Sequence, residues 1–245
     1  AKEFAERARQ EIEFYRQQDA ALPAQVELRD DVPGIMVSRG NFLVGTDAMV
    51  PSARVNATLA HEIGTHVLTH YNGSQQPFRE LYAGMAGYEP MQEGMAVLAE
   101  YLVGGLGSSR LRLLASRVLA VHMLTEGADF IETFRGLHRD YDIAPSTAFT
   151  IAMRVFRGGG YTKDKVYLQG LTQIIGYLSR GGELERLYLG KISYEYLPLI
   201  EELQWRQVLI PPRLRPSFLD KVETITRLEH LRQGATVLDL MKEIV

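Results

Sequence analysis

Apolar residues near the start of the chain recur at helical spacing. Phe4, Ala8, Ile12 and Tyr15 fall four, four and three residues apart, which predicts one buried stripe of an amphipathic helix closed by Pro23. The pattern then changes. The runs G-I-M-V-S (34–38) and N-F-L-V-G (41–45) are short, β-prone and separated by Arg39-Gly40, so they predict a hairpin. Pro51 suits a first helical turn, and 53–71 predicts a helix that the Asn72-Gly73-Ser74 cluster ends. From Pro77 onward the pattern is helical almost throughout, with breaks at 87–90, 104–109, 127, 142–145, 158–160, 181–182 and 211–212. Thr162 or Asp164 is placed to cap a helix running through Ile175, whose Val166, Gly170, Ile174 and Tyr177 share one face. No repeat, low-complexity tract or linker divides the chain. The expected fold is mostly α (α+β), a single domain over residues 1–245 with a small β-hairpin before the helix of 53–71.

Composition narrows the function classes. With 245 residues, 46% of them hydrophobic and 23% charged, the chain has ample material for a core. A net charge of −3 supplies no basic field, so nucleic acid and an anionic membrane are not expected partners. Cysteine is absent, which excludes disulfides, thiolate zinc sites and cysteine nucleophiles and suits a reducing, cytoplasmic setting. No apolar run is long enough to span a bilayer, and no signal peptide is evident. The chain starts Ala1-Lys2-Glu3 without methionine, as a trimmed sequence would.

The chemistry concentrates in two short motifs, H-E-I-G-T-H at 61–66 and Q-E-G-M-A at 92–96. Two imidazoles and a carboxylate are a donor set for a hydrolytic zinc site that keeps a position open for water. The spacing within the first motif is awkward. His61 and His66 are five apart, roughly 140° around an ideal α-helix, so both face one ion only if the helix is distorted around residues 63–65. Gly64 lies where a widened, π-like turn or a break would bring them together. Glu62, His66 and His70, spaced four and four, align on a regular helix without distortion. Both ligand sets stand on spacing alone, beside the plainer reading in which the histidines only hydrogen-bond to neighbours. Glu93 follows Pro90 by three and is expected in the first turn of the next helix, where an acid also favours the helix dipole. Gly94 and Ala96 are small enough to let that helix approach the histidine helix. Glu89 and Glu100 are alternative third ligands, and Glu100, two turns beyond Glu93, is also placed to support a ligand from behind. His122, His138 and His230 stand alone.

Four motifs in order carry a resemblance: H-E-x-G-T-H, N-G-S-Q-Q-P-F (72–78), Q-E-G-M-A and R-G-G-G-Y-T-K-D (157–164). The chain resembles the QEGLA-motif proteins, bacterial relatives of the microtubule-associated tyrosine carboxypeptidase, from about residue 44 to 212. The resemblance implies a zincin-like zinc carboxypeptidase with His61, His66 and Glu93 as ligands and Glu62 as general base. Met95 replaces the usual leucine of the motif, a tolerable apolar exchange. His70 stands where many relatives carry arginine. The tubulin tail on which the eukaryotic members act is not implied for this chain, since nothing in it marks a tubulin-binding surface.

The glycine-rich stretch at 157–164 lacks the spacing of a phosphate-binding P-loop. A carboxypeptidase must hold the free carboxylate of a peptide or protein C-terminal tail. Arg157, with Lys163 or Arg154, is the candidate for that contact. Tyr161 and Tyr167 are candidates for stabilising a developing oxyanion. An exposed edge of the 34–45 hairpin is a candidate strand for an extended peptide. Two alternatives remain: a non-catalytic metal-binding regulatory module with His70 as a fourth ligand, and a zinc amidohydrolase acting on a non-peptide amide.

Overall fold

The computed structural model describes residues 1–158 and 163–242. Helix α1 (Lys2–Gln18) buries Phe4, Ala5, Ala8, Ile12 and Tyr15, the predicted stripe. It stops at Gln18, ahead of Pro23, where Asp19 turns extended while its N–H still bonds the Tyr15 carbonyl. Strands β1 (Val26–Arg29), β2 (Ile35–Ser38) and β3 (Asn41–Gly45) form one sheet in the order β1-β3-β2. The β2–β3 hairpin is the expected one. Ser38 pairs with Asn41, and Arg39 and Gly40 both adopt positive φ (50° and 81°), as a two-residue turn between twisted strands requires. Strand β1 runs parallel to β3 and gave no sequence signal, being four residues long and only partly buried. Phe42 and Val44 of β3 are fully buried and pack toward α1, the Phe42 ring edge-on to Phe4 at 5.9 Å. Strand β2 is an edge of the sheet.

The predicted histidine helix is a continuous stack of three helical forms. Pro51 precedes a single 3-10 turn (Ser52–Arg54), followed by α2 (Val55–His61), a π-helical segment (Glu62–Val67) and α3 (Leu68–Ser74). The distortion expected around 63–65 is therefore present: the Leu68 N–H bonds the Ile63 carbonyl five residues back. Gly64 also makes room for Phe218, whose ring would lie 3.0 Å from a Cβ there. The helix ends within the expected Asn72-Gly73-Ser74 cluster, with Ser74 its last residue, three residues beyond Tyr71. Asn72 is fully buried: its amide donates to the Tyr188 and Leu214 carbonyls and accepts from the Leu214 N–H. A buried amide with three backbone partners ties the end of this helix to the segments at 188 and 214.

The remainder is helical: α4 (Glu80–Ala83), α5 (Glu89–Leu102), α6 (Ser108–Thr125), α7 (Phe130–Arg135), α8 (Pro145–Arg157), α9 (Val166–Ser179), α10 (Leu197–Trp205), α11 (Val222–Arg232) and α12 (Val237–Lys242). Glu93 lies one turn deeper in α5 than expected, since the helix already begins at Glu89. The main core forms where α5 and α9 cross, around Met91, Met95, Leu98, Leu171, Ile174 and Leu178. That crossing is glycine on glycine. A Cβ at Gly94 would lie 2.3 Å from the Gly170 carbonyl carbon, and one at Gly170 only 1.6 Å from the Pro90 carbonyl oxygen. Gly94 thus admits α9, not the histidine helix as its position suggested. Asp164 is not the N-cap of α9, which begins at Val166 behind Lys165, whose side chain makes no capping bond. Thr162, the other expected cap, lies outside the described residues.

Candidate metal centre

The π-helical segment decides which side chains meet. Its wider register turns His66 back toward His61, and the two rings sit edge to face with centroids 5.1 Å apart. Glu93 of α5 projects between them. Its Oε2 lies 3.8 Å from His61 Nε2 and 3.6 Å from His66 Nε2, and the three donor atoms lie within 4.8 Å of one another. Ligand atoms at ordinary zinc bond lengths in a tetrahedron stand about 3.3 Å apart. The carboxylate contacts therefore need only small inward movements. Burial pushes the Glu93 carboxyl up, but the hydrogen bond from His66 and the positive charges of His66, His61 and Lys163 outweigh it and hold it at about 2. Glu62 stands at the edge of the group, its Oε1 3.9 Å from His61 Nε2.

His70 takes another role. Its ring meets Tyr82 edge-on at 5.8 Å and lies against Gly40, where a Cβ would come within 2.5 Å of it. Burial, then the charge of Lys191, disfavours its protonation. Among the described residues the grouping fit for a metal is His61, His66 and Glu93, without His70. Of the isolated histidines, His138 bonds the Ile143 carbonyl through Nδ1, and His122 lies 3.9 Å from Glu126 at the surface.

Behind the triad sits Glu100, only 1% exposed. One oxygen contacts His61 Nδ1 at 2.9 Å and Arg110 at 3.1 Å, and the other contacts Arg54 at 2.7 Å and Arg110 at 3.2 Å. Burial raises the Glu100 carboxyl, but these partners, His61 first, hold it at about 2. An ionised carboxylate only accepts hydrogen bonds, so Nδ1 of His61 must carry the proton. In the neutral ring Nε2 is then the nitrogen that carries the lone pair, on the side of His66 and Glu93. Burial opposes charging His61, yet Glu100, Glu62 and Glu93 together raise its pKa. A site that gathers three carboxylates and two imidazoles has the charge and the donors a divalent cation requires, and thiolate-free N/O donors suit zinc.

The triad opens into a cleft of about 310 Å³. Besides the triad and Glu62, it is lined by Ile35, Met36 and Val37 of β2 and by Tyr88, Gln92, Lys163, Tyr167 and Lys191. Two of the residues expected to bind substrate, Lys163 and Tyr167, thus line the cleft. Burial, then the nearby Glu93, pushes the Tyr167 phenol up to about 12, and the Arg117 guanidinium lies 5.6 Å from its ring centroid. Arg154 is committed elsewhere: its Nε bonds Asp164 Oδ1 at 3.0 Å, and Asp164 also lies 3.6 Å from Arg117. Arg157 is exposed at the end of α8 and is not among the described residues lining the cleft. Tyr161 lies outside the described residues.

Residues 1–236 match the profile of a family described as microtubule-associated tyrosine carboxypeptidase. The chain belongs to that family. Among its relatives, microtubule-associated tyrosine carboxypeptidase 1 of Mus musculus is 30% identical over 188 residues, covering 71% of this chain and 38% of the relative. The Rattus norvegicus protein of the same name is 30% identical over 189 residues, with the same coverage. The chain thus spans well under half the length of the curated relatives it matches.

Within this family member, the quoted motifs divide between chemistry and architecture. His61, Glu62, His66 and Glu93 face the cleft. Asn72 clasps the 188 and 214 backbones, and Gln76 exchanges two hydrogen bonds with the Ile210 backbone. Gln92 donates to Thr69 Oγ1 at 2.9 Å, tying α5 to the histidine helix. Sequence reasoning missed Arg54, Arg110, Arg117, Tyr88 and Lys191. A buried Glu100 would have demanded cationic partners, but no spacing pointed to which ones. Lys191, about a hundred residues from the triad in sequence, carried no signal.

Proposed function

We propose that this chain is a zinc-dependent carboxypeptidase that removes a C-terminal residue from a peptide or protein tail in the cytoplasm. The observation that carries the reading is the convergence of His61, His66 and Glu93 across a π-helical turn, with Glu62 beside them on an open cleft. His61, His66 and Glu93 would hold the ion. When bound, zinc supplies a Lewis acid for the scissile carbonyl and lowers the pKa of water toward neutrality. Glu62 takes the proton of the attacking water and later delivers it to the leaving amine. Glu100 fixes the His61 tautomer, so the imidazole keeps one orientation through the cycle. Strand β2 offers its free edge to an extended backbone, which would hold the scissile bond over Glu62 by main-chain hydrogen bonds. Tyr167, its phenol kept protonated far above neutral pH, is a donor available to the developing oxyanion. The relatives' name makes tyrosine the first leaving residue to try, and the walls contributed by Met36, Val37 and Tyr88 suit an apolar or aromatic side chain.

The test is a library of C-terminally varied peptides incubated with zinc-loaded protein, with single-residue losses followed by mass. Glu62→Gln should retain stoichiometric zinc while turnover falls by roughly 100-fold or more. A glutamine variant with full activity would remove Glu62 from the mechanism, and no mass loss from any peptide would remove the activity.

A further inference from the structure

The cleft holds two ammonium groups besides the metal-binding cluster, and they are not alike. Lys163 is largely exposed, lies 3.7 Å from Glu89 and contributes to the field at Glu93. Lys191 is held rigidly. Its N–H donates to the Leu81 carbonyl at 2.6 Å, and its own carbonyl accepts from Met85 N–H at 3.0 Å. Its Nζ lies 5.7 Å from the centroid of the Tyr88 ring. Burial, then the positive charge of Lys163, disfavours the Lys191 ammonium, and no carboxylate of the described residues stands within ion-pair distance of it. A partly desolvated cation near a second cation, with its main chain anchored by two hydrogen bonds, is a position that an anion would complete.

We propose that Lys191, supported by Lys163, anchors the α-carboxylate of the substrate's last residue and so makes the site an exopeptidase. The inference rests on the peptidase reading above and shifts the main carboxylate contact from Arg157 to Lys191, with Lys163 of the 157–164 stretch kept in support. Lys191 shares a cavity of about 310 Å³ with the triad, which leaves room for a short peptide end between anchor and metal ligands. The α-carboxylate is the one anion that every such peptide brings to that place. Tyr88, beneath the ammonium, lowers the exposure of the pair to water and strengthens it.

Binding can be read without turnover. Zinc-loaded Glu62→Gln protein is titrated with a fluorescein-labelled peptide ending in free tyrosine and with the same peptide as its C-terminal amide. The free acid should bind tighter by roughly 10- to 100-fold. Lys191→Met keeps the stem length over Tyr88 and removes the charge, so it should abolish that preference, while Lys191→Arg should keep most of it. A Lys191→Met protein that still prefers the acid to the same degree overturns the proposal. So does one that weakens acid and amide equally, the outcome expected if Lys191 contacts an acidic side chain or only shapes the wall. The two readings separate cleanly. Absent turnover of every peptide by the unsubstituted enzyme counts against the peptidase assignment, whereas the acid-to-amide binding ratio judges Lys191 alone.

Discussion

Replacing Glu100 by glutamine probes the layer behind the metal ligands. The substitution preserves shape at a position only 1% exposed, but it leaves Arg54, Arg110 and the His61 Nδ1–H without their counter-charge. Removing one partner of a buried ion pair typically costs 3–5 kcal/mol. Arg54 and Arg110 keep side-chain exposures of 30% and 21%, so both can turn partly to water, and about 3 kcal/mol is the reasonable expectation. A second route gives the same figure. Glu100 is held at about 2 against an ordinary 4.5, and a shift of that size corresponds to roughly 3 kcal/mol. The folded-state pKa is depressed, so this stability is fully present above pH 5 and is lost as pH falls toward 2. Urea unfolding of metal-free protein at neutral pH should therefore show the glutamine variant about 3 kcal/mol less stable, and its acid limb should be shallower. It should not be flat, because Glu93 has a similar depression and is retained. Chelator competition should show zinc bound roughly 10- to 100-fold more weakly, as the His61 tautomer is no longer fixed. A variant that matches the parent in both urea midpoint and zinc affinity would refute the argument.

Other substitutions separate architecture from chemistry. Gly170→Ala should lower the melting temperature strongly or prevent folding, since its methyl group would overlap the Pro90 carbonyl, and calorimetry would decide it. Asn72→Ala, which orphans three backbone groups at a fully buried position, should cost about 3 kcal/mol in urea unfolding, although no cleft residue changes. His66→Ala should reduce zinc to substoichiometric levels by atomic emission and abolish the rise in melting temperature that zinc gives the parent.

The sequence exposed the parts of this molecule that rest on local rules. The stripe of α1, the Arg39-Gly40 hairpin and the helix breaks at Gly127 and Gly181-Gly182 follow from periodicity and turn chemistry. The histidine spacing was also legible, because five residues across Gly64 left a distorted helix as the way for His61 and His66 to meet. Failures came where a local preference met a tertiary demand. The Asn72-Gly73-Ser74 cluster does end its helix, but its tertiary role was hidden: Asn72 is a buried clasp, and a Cβ at Gly73 would lie 2.2 Å from the Leu81 carbonyl oxygen. Asp164 read as a cap, yet Arg154 and Arg117 claim it. Arg157 was marked out by neighbouring glycines, whereas Lys191, which lines the cleft together with the expected Lys163, comes from an unremarkable loop positioned by backbone bonds to Leu81 and Met85.

The glycine-on-glycine crossing of α5 and α9 has a mechanical consequence. Glu93 and Tyr167 sit on opposite partners of a contact too tight to slide, so the acid on one helix and the phenol on the other travel as a single jaw. The imidazoles belong to the facing jaw, built on the 52–74 stack and riveted by Asn72 to the 188 and 214 backbones. Glu100 and Gln92 of α5 are bonded in turn to His61 and Thr69 of that stack, so the two jaws are clamped to each other and the triad keeps its spacing.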